Sequence, residues 1–273
     1  MTYAPFEQAE AVVRRNNISW QGPEGAPTIV FAHGYGSSLQ MWRLVAPQFA
    51  DDHRVVLFDH VGSGGSDRQA YDRGKYDSLH GYADDLREIC HSLGLKDIVY
   101  VGHSVGAMIG CLAAIAEPTL FSSLVLVGGS ARYINDEGYV GGFESADVDA
   151  LLESLDANYL AWASTMAPVF MGNADRPELA AELLDSFAKA DQSVARQFAR
   201  VTFLSDMRAK LNSVSTPTLV VQSTNDIVAP VVAGEFLRDR IPGSRLEVLE
   251  ADGHYVHISE PEKLTSTIRS FLS

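Results

Sequence analysis

The chain is short of cysteine, of basic residues and of long apolar runs, and each shortage excludes a class of protein. Its two cysteines, Cys90 and Cys111, form neither a CxxC pair nor another metal-ligand spacing. We therefore expect free buried thiols, with no disulfide and no structural zinc. The 21 basic residues are outnumbered by 35 acidic ones, which gives a formal net charge of −14. Binding to nucleic acid or to an anionic membrane surface is not expected at this charge.

Membrane insertion and secretion are not expected either. No run approaches the roughly 18 consecutive apolar residues that a membrane-spanning helix needs. The opening stretch MTYAPFEQAE lacks the basic and apolar regions of a secretory signal. Together with the free thiols, these features predict a cytoplasmic protein.

The chain does contain a series of short apolar runs. They are TIVFAHG (28–34), RVVLFDH (54–60), DIVYVGHS (97–104), SSLVLVGG (122–129), TPTLVVQSTND (216–226) and RLEVLEADG (245–253). Runs without polar alternation are typical of strands buried on both faces of a parallel sheet. Amphipathic stretches between them predict helices, and AVVRRNNISWQG upstream is interpreted as an edge hairpin. The alternation indicates an open α/β sheet with helices on both faces.

One long segment, residues 131–211, interrupts this alternation. It shows no clear strand, while apolar residues from Leu151 to Met166 recur at helical spacing. We interpret the segment as a helical cap inserted into a core made of residues 1–130 and 212–273, because so long an insertion usually covers something. The alternative is that these helices pack within the main layer.

A candidate nucleophile lies where the third run meets a strong helix former. Gly102-His103-Ser104-Val105-Gly106 is a G-x-S-x-G pattern, in which the glycines permit a tight turn that exposes the serine hydroxyl. The pattern alone is weak, because glycine and serine are common residues. Its position at a predicted strand-to-helix turn makes the signal much more specific.

A serine hydroxyl needs a base, and the base needs an orienting carboxylate. Asp226 and His254 follow Ser104 in the order Ser, Asp, His, and each lies at the end of a predicted strand. We predict that these three residues form a catalytic triad. The backbone N–H groups of Val105 and Tyr35 are the predicted oxyanion hole, with Tyr35 in the glycine-rich stretch HGYG (33–36).

The stretch ADGHYVHISEP (251–261) contains a second histidine, His257. The pair could be metal ligands, a base with a bystander, or two packing residues. The order of the triad favours His254 as the base, and we interpret His257 as a structural residue. The spacing lacks an HExxH arrangement, so no metal is expected. Ser259 and Glu262 have the spacing of a capping box for a final helix.

These residues together suggest a family. The chain resembles an α/β-hydrolase of the RsbQ type, a bacterial group related to the plant strigolactone and karrikin receptors. The resemblance extends over nearly the whole chain and rests on HGYG (33–36), FDHVGSGGSD (58–67), YVGHSVGAMIG (100–110), GGFE (141–144), NYLAWA (158–163), ARQFARVTFLSD (195–206) and GHYVH (253–257). Relatives tend to have phenylalanine where this chain has Tyr35.

The resemblance implies a mostly parallel, eight-stranded sheet and a cap of four helices over an apolar pocket, with no cofactor. By position, the residues that would line this pocket beside Tyr35 are Tyr133, Phe143, Trp162, Met166 and Phe203. It further implies slow hydrolysis of small hydrophobic esters or lactones through an acyl-enzyme. The alternative is a ligand-sensing stress regulator that works with a PAS-containing phosphatase of the RsbP type. Acyl transfer or perhydrolysis on the same triad is a third, weaker possibility.

Overall fold

The structure is a computed structural model that describes residues 4–273, with side-chain environments from residue 9 onward. Its centre is a sheet of seven strands. They are β1 (Ser19–Gln21), β2 (Thr28–Ala32), β3 (Arg54–Phe58), β4 (Ile98–His103), β5 (Phe121–Val127), β6 (Thr218–Asn225) and β7 (Arg245–Asp252). The order across the sheet is β1-β3-β2-β4-β5-β6-β7. β1 pairs with β3 in antiparallel fashion, and the other neighbours are parallel.

Helices cover both faces of this sheet. They are α1 (Ala4–Arg15), α2 (Leu79–Ser92), α3 (Val105–Ala116), α4 (Ser145–Ala157), α5 (Tyr159–Met171), α6 (Pro177–Lys189), α7 (Gln192–Phe203), α8 (Val231–Arg240), α9 (Val256–Ser259) and α10 (Pro261–Leu272). Successive strand residues enter opposite layers. Val30 and Ala32 belong to the apolar cluster that reaches into the segment between β5 and β6, whereas Ile29 and Phe31 belong to the cluster on the other face. The α/β fold predicted from the sequence is therefore observed.

Within residues 4–273 the sheet has seven strands, not the eight that the resemblance implies. The expected edge hairpin is a helix followed by one strand. Asn16 and Asn17 lie in the middle of the expected hairpin, and asparagine occurs both in turns and at helix ends. Here Asn17, two residues after the end of α1, has φ of +45°, and the N–H of Ile18 donates to the carbonyl of Val13 at 2.9 Å. This is the bonding pattern of a helix C-terminus.

The predicted capping box at Ser259 does not form either. Ser259 ends the short helix α9, and α10 begins one residue after Glu260, at Pro261. Proline is well suited to the first helical position, because its fixed φ is helical and its missing N–H would have no partner there. The carbonyl of Ser259 instead accepts a hydrogen bond from the Arg176 guanidinium at 2.9 Å.

Helices α4 to α7 all lie between β5 and β6, within residues 131–211. They pack largely on one another, α4 against α5 and α7, and α5 against α6. An isolated bridge between Arg132 and Asp206 joins the two ends of the segment. This arrangement favours a cap over helices within the main layer, and we refer to α4–α7 as the cap helices. The exact bounds of cap and core stay a prediction. Within residues 4–273, no helix is both long and apolar enough to cross a membrane.

Candidate active site

Ser104 occupies the turn between β4 and α3 in a strained conformation. Its φ of +55° and ψ of −123° are unfavourable for a residue with a side chain, at a cost of about 1–3 kcal/mol. The turn is held by a 2.8 Å hydrogen bond from its N–H to the carbonyl of Val127. A Cβ at Gly106 would lie 2.7 Å from the carbonyl oxygen of His33, which explains the second glycine of the pattern. The tight turn therefore positions the serine at the carboxyl end of the sheet.

Asp226 and His254 lie at the same edge of the sheet and contact each other. His254 Nδ1 is 2.7 Å from Asp226 Oδ2, and both side chains are buried. The other carboxylate oxygen, Oδ1, accepts hydrogen bonds from the N–H groups of Val228 at 2.8 Å and Ala229 at 3.1 Å. These bonds fix the carboxylate, so it can orient the imidazole and leave Nε2 free to accept a proton.

The serine hydroxyl and the imidazole line one cavity without a direct hydrogen bond. Within the described part of the chain, the partner of Ser104 Oγ is the hydroxyl of Tyr133, at 3.4 Å. Ser104 and His254 both line the small cavity beside it, which we call the serine cavity. Bonds between nucleophile and base are often long in ligand-free enzymes and shorten when substrate binds.

The two predicted oxyanion-hole donors belong to different elements, the loop after β2 and the first residue of α3. Neither the N–H of Tyr35 nor that of Val105 donates a hydrogen bond to another described residue. The loop that carries Tyr35 lies directly against the serine, since a Cβ at Gly34 would be 3.0 Å from the Cβ of Ser104. Free N–H groups so close to a nucleophile can stabilise an oxyanion.

The predicted pocket residues are brought together only in part. The serine cavity has a volume of about 20 Å³, and Tyr35, Tyr133 and Phe203 line it. Trp162 and Met166 instead line a separate groove of about 250 Å³ between α4 and α5. Phe143 packs against Phe203, and the two ring centroids lie 6.3 Å apart. The apolar pocket that the resemblance implies over Ser104 is thus divided in this structure.

Four residues of the serine cavity escaped the sequence analysis. They are Phe170, Thr202, Val228 and Tyr255. Phe170 is notable because its carbonyl accepts a hydrogen bond from the N–H of His254 at 2.9 Å, which ties α5 to the histidine loop. A signal existed for Tyr255, which stands next to the predicted base, and for Val228, which follows Asp226 closely. Nothing in the sequence pattern connects α5 with residue 254.

His257 is a structural residue in this geometry. It is fully buried, and its ring centroid lies 4.6 Å from that of Trp42 and 4.4 Å from that of His103. Neither ring nitrogen has a hydrogen-bond partner among the described residues. Burial lowers the pKa of His257 to about 3, and the nearby His254 adds to the effect. The ring is therefore neutral in the folded protein at neutral pH.

This buried neutral histidine predicts a loss of stability in acid. In the unfolded chain His257 binds a proton below about pH 6.5, while the folded protein resists protonation down to about pH 3. Each pH unit below about 6.5 then lowers the free energy of unfolding by about 1.4 kcal/mol through this group. The free energy of unfolding, measured with urea, falls between about pH 7 and pH 4.5 in the unaltered protein. In His257→Phe this fall should be smaller by roughly 2–3 kcal/mol. Equal losses in the two proteins would contradict the assignment.

No group of three or more histidine, cysteine, aspartate or glutamate residues in the described chain could hold a metal ion. Cys90 and Cys111 are both buried and free. Burial raises the pKa of each thiol to about 12, so neither is a reactive thiolate at neutral pH.

A mostly parallel sheet with a serine at the sharp turn after a central strand defines the class of α/β hydrolases. Residues 27–261 match the alpha/beta hydrolase fold family, and the chain belongs to it.

Several relatives cover nearly the whole chain. Strigolactone esterase D14 of Arabidopsis thaliana is 38% identical over 91% of this chain and 93% of its own length. Karrikin insensitive 2 receptor CA of Petunia hybrida is 38% identical over 92% of this chain and 93% of its own length. The solved structure of a hydrolase from Oleispira antarctica is 38% identical, with a TM-score of 0.94 over 97% of each chain. The chain is therefore an α/β-fold hydrolase with esterases among its relatives.

Proposed function

We propose that the protein hydrolyses small carboxylic esters or lactones through a Ser104–His254–Asp226 triad. The observation that carries this proposal is the strained Ser104 in one cavity with His254, whose Nδ1 lies 2.7 Å from Asp226. A strained serine next to an oriented imidazole is the arrangement that activates a hydroxyl for attack on a carbonyl.

In the first half of the reaction, Ser104 Oγ attacks the carbonyl carbon while His254 Nε2 takes the hydroxyl proton. The N–H groups of Tyr35 and Val105 stabilise the negative charge that develops on the carbonyl oxygen. The tetrahedral intermediate then expels the alcohol, which receives the proton from His254. In a lactone the alcohol stays attached to the acyl group.

In the second half, His254 takes a proton from water, and the hydroxide formed attacks the acyl-enzyme. Expulsion of Ser104, which recovers its proton from His254, releases the acid. Asp226 keeps the imidazole in the Nδ1–H tautomer and stabilises the imidazolium that forms in each half.

The substrate class is supported by the lining of the site and by the relatives. Phe170, Phe203 and Val228 give the serine cavity an apolar wall, which suits an uncharged ester or lactone. One relative is itself described as a strigolactone esterase. We expect no cofactor, since the triad supplies nucleophile, base and acid.

Mass spectrometry of the intact protein tests the proposal. Short incubation with a panel of small esters and lactones should add the mass of one acyl group, and peptide mapping should place it on Ser104. The Ser104→Ala variant should carry no adduct under the same conditions. An adduct on another residue, or full turnover by Ser104→Ala, would overturn the proposed mechanism.

A ligand-sensing role is a second candidate. It is favoured by the relative described as a karrikin insensitive receptor and by the serine cavity of about 20 Å³, which leaves little room for a substrate beside Ser104. The partner would be a PAS-containing phosphatase of the RsbP type. Purified phosphatase should then bind the unaltered protein in a ligand-dependent manner in a titration. Absence of binding, together with fast turnover of a metabolite, would refute the sensing role.

A further inference from the structure

Tyr35 is the wall between two cavities. On one side is the serine cavity, whose volume of about 20 Å³ leaves room for about one water molecule. On the other side is a groove of about 380 Å³ between the oxyanion loop and helices α6 and α7, which we call the outer groove. Tyr35 is the one residue of the described chain that lines both. Movement of one side chain would therefore join them.

The Tyr35 ring is buried against the cap helices beside the serine cavity. It is 5% exposed and packs against four aromatic residues of the cap. Its centroid lies 5.8 to 6.3 Å from those of Trp162, Phe187, Phe198 and Phe203. The backbone of Tyr35 belongs to the proposed oxyanion hole, but its side chain fills the cap.

Within the described part of the chain, no hydrogen bond of ordinary length holds this ring in place. The Tyr35 hydroxyl is buried and has no partner among the residues that the structure describes. A buried hydroxyl without a partner is unfavourable, so a swing toward the outer groove would bring it into contact with water. The groove offers the space for this motion.

We propose that Tyr35 is the gate to Ser104 and that the outer groove binds the part of the substrate beyond the ester bond. This inference rests on the proposed hydrolase function. When the Tyr35 ring swings toward the outer groove, the two cavities join. The joined site admits a molecule too large for the serine cavity alone.

The outer groove suits an uncharged ligand. Its charged residues already have partners, Glu182 with Arg43 and Asp185 with Lys189. The carboxylate of Asp59 is buried and accepts hydrogen bonds from its neighbours. Gln40 and Ser63 also line the groove and can hydrogen-bond a ligand. The substrate part bound there should carry a hydroxyl, ether or carbonyl group.

The groove between α4 and α5 is the competing route. It has a volume of about 250 Å³ and contains Trp162, but it shares no lining residue with the serine cavity. No single side chain of the described residues therefore separates it from the serine cavity, as Tyr35 does on the other route. The geometry therefore favours the route past Tyr35.

Two matched variants distinguish the routes. Ala190→Trp fills the outer groove, and Ala157→Trp fills the groove between α4 and α5. Each is assayed with a small and a bulky uncharged acetate ester, vinyl acetate and 4-methylumbelliferyl acetate. We expect Ala190→Trp to lower the bulky-to-small ratio of kcat/KM by about 10-fold, and Ala157→Trp to change it by less than about 2-fold. The reverse pattern, or no change in either variant, would overturn the proposal.

Variants of the gate itself give a second test. Tyr35→Ala keeps the backbone N–H but removes the wall, so the bulky-to-small ratio should rise by about 10-fold. Tyr35→Phe keeps the ring and should leave the ratio close to that of the unaltered protein. A ratio unchanged in Tyr35→Ala would refute the gate while Ser104 acylation still stands. An acyl adduct that maps to a residue other than Ser104 would instead refute the proposed hydrolase mechanism.

Discussion

Replacement of His254 by alanine should lower kcat for a small ester by about 10⁴-fold or more, because Ser104 then has no base and the leaving alcohol no acid. His257→Ala should keep kcat within about 10-fold of the unaltered protein, although both histidines are buried three residues apart. The difference follows from their contacts. His254 contacts Asp226 and lines the serine cavity, whereas His257 packs against Trp42 and is not among the residues that line this cavity.

Thermal unfolding at neutral pH distinguishes a loss of kcat caused by the missing base from one caused by misfolding. His257→Ala leaves a cavity next to Trp42 and should be the less stable of the two variants, with the higher activity. His254→Ala should stay folded and inactive. Activity lost in His257→Ala and kept in His254→Ala would show that the base had been assigned to the wrong residue.

The location of the site was predictable because it depends on local patterns and on sheet topology. Ser104, Asp226 and His254 each follow an apolar run, and the carboxyl ends of parallel strands meet at one edge. The structure accordingly brings Asp226 and His254 into contact and places Ser104 in the same cavity. No knowledge of side-chain packing was needed for this step.

The features that were missed depend on contacts between distant segments or on ambiguous local signals. Asn16 and Asn17 are compatible with a turn and with a helix end, and in the structure they follow α1, whose Val12 is buried in the core. The small volume of the serine cavity results from Tyr35 packing against three cap helices. A sequence pattern can show that Tyr35 and the cap helices present apolar surfaces, but not how closely these surfaces pack.

The cap also contributes to the geometry of the proposed base. The His254 backbone is held on both sides, by the carbonyl of Phe170 from α5 and by His103 Nε2, which donates to the His254 carbonyl at 2.9 Å. Gly253 has φ of +81°, and a Cβ there would clash with the carbonyl of Met171. Motion of α5 would therefore displace the imidazole, which couples the cap to the chemistry in either of the proposed functions.

Asp226→Asn should lower kcat by about 10⁴-fold without unfolding the protein, because it changes the tautomer of His254 and little else. The Val228 and Ala229 N–H groups require an acceptor at the Oδ1 position, so the asparagine oxygen should stay there. The amide NH₂ then faces His254 Nδ1 and donates to it. The imidazole proton moves to Nε2, where it blocks proton transfer from Ser104.

Nitrogen NMR of labelled histidine checks this mechanism directly. The His254 signal should report a proton on Nδ1 in the unaltered protein and on Nε2 in Asp226→Asn, at a pH where the ring is neutral. Asp226→Ala is the matched control, since it removes the orienting group without donating to Nδ1 and should lose less activity than a variant locked in the wrong tautomer. If Asp226→Asn retained both the Nδ1 proton and most of its activity, Asp226 would have no part in orienting the base.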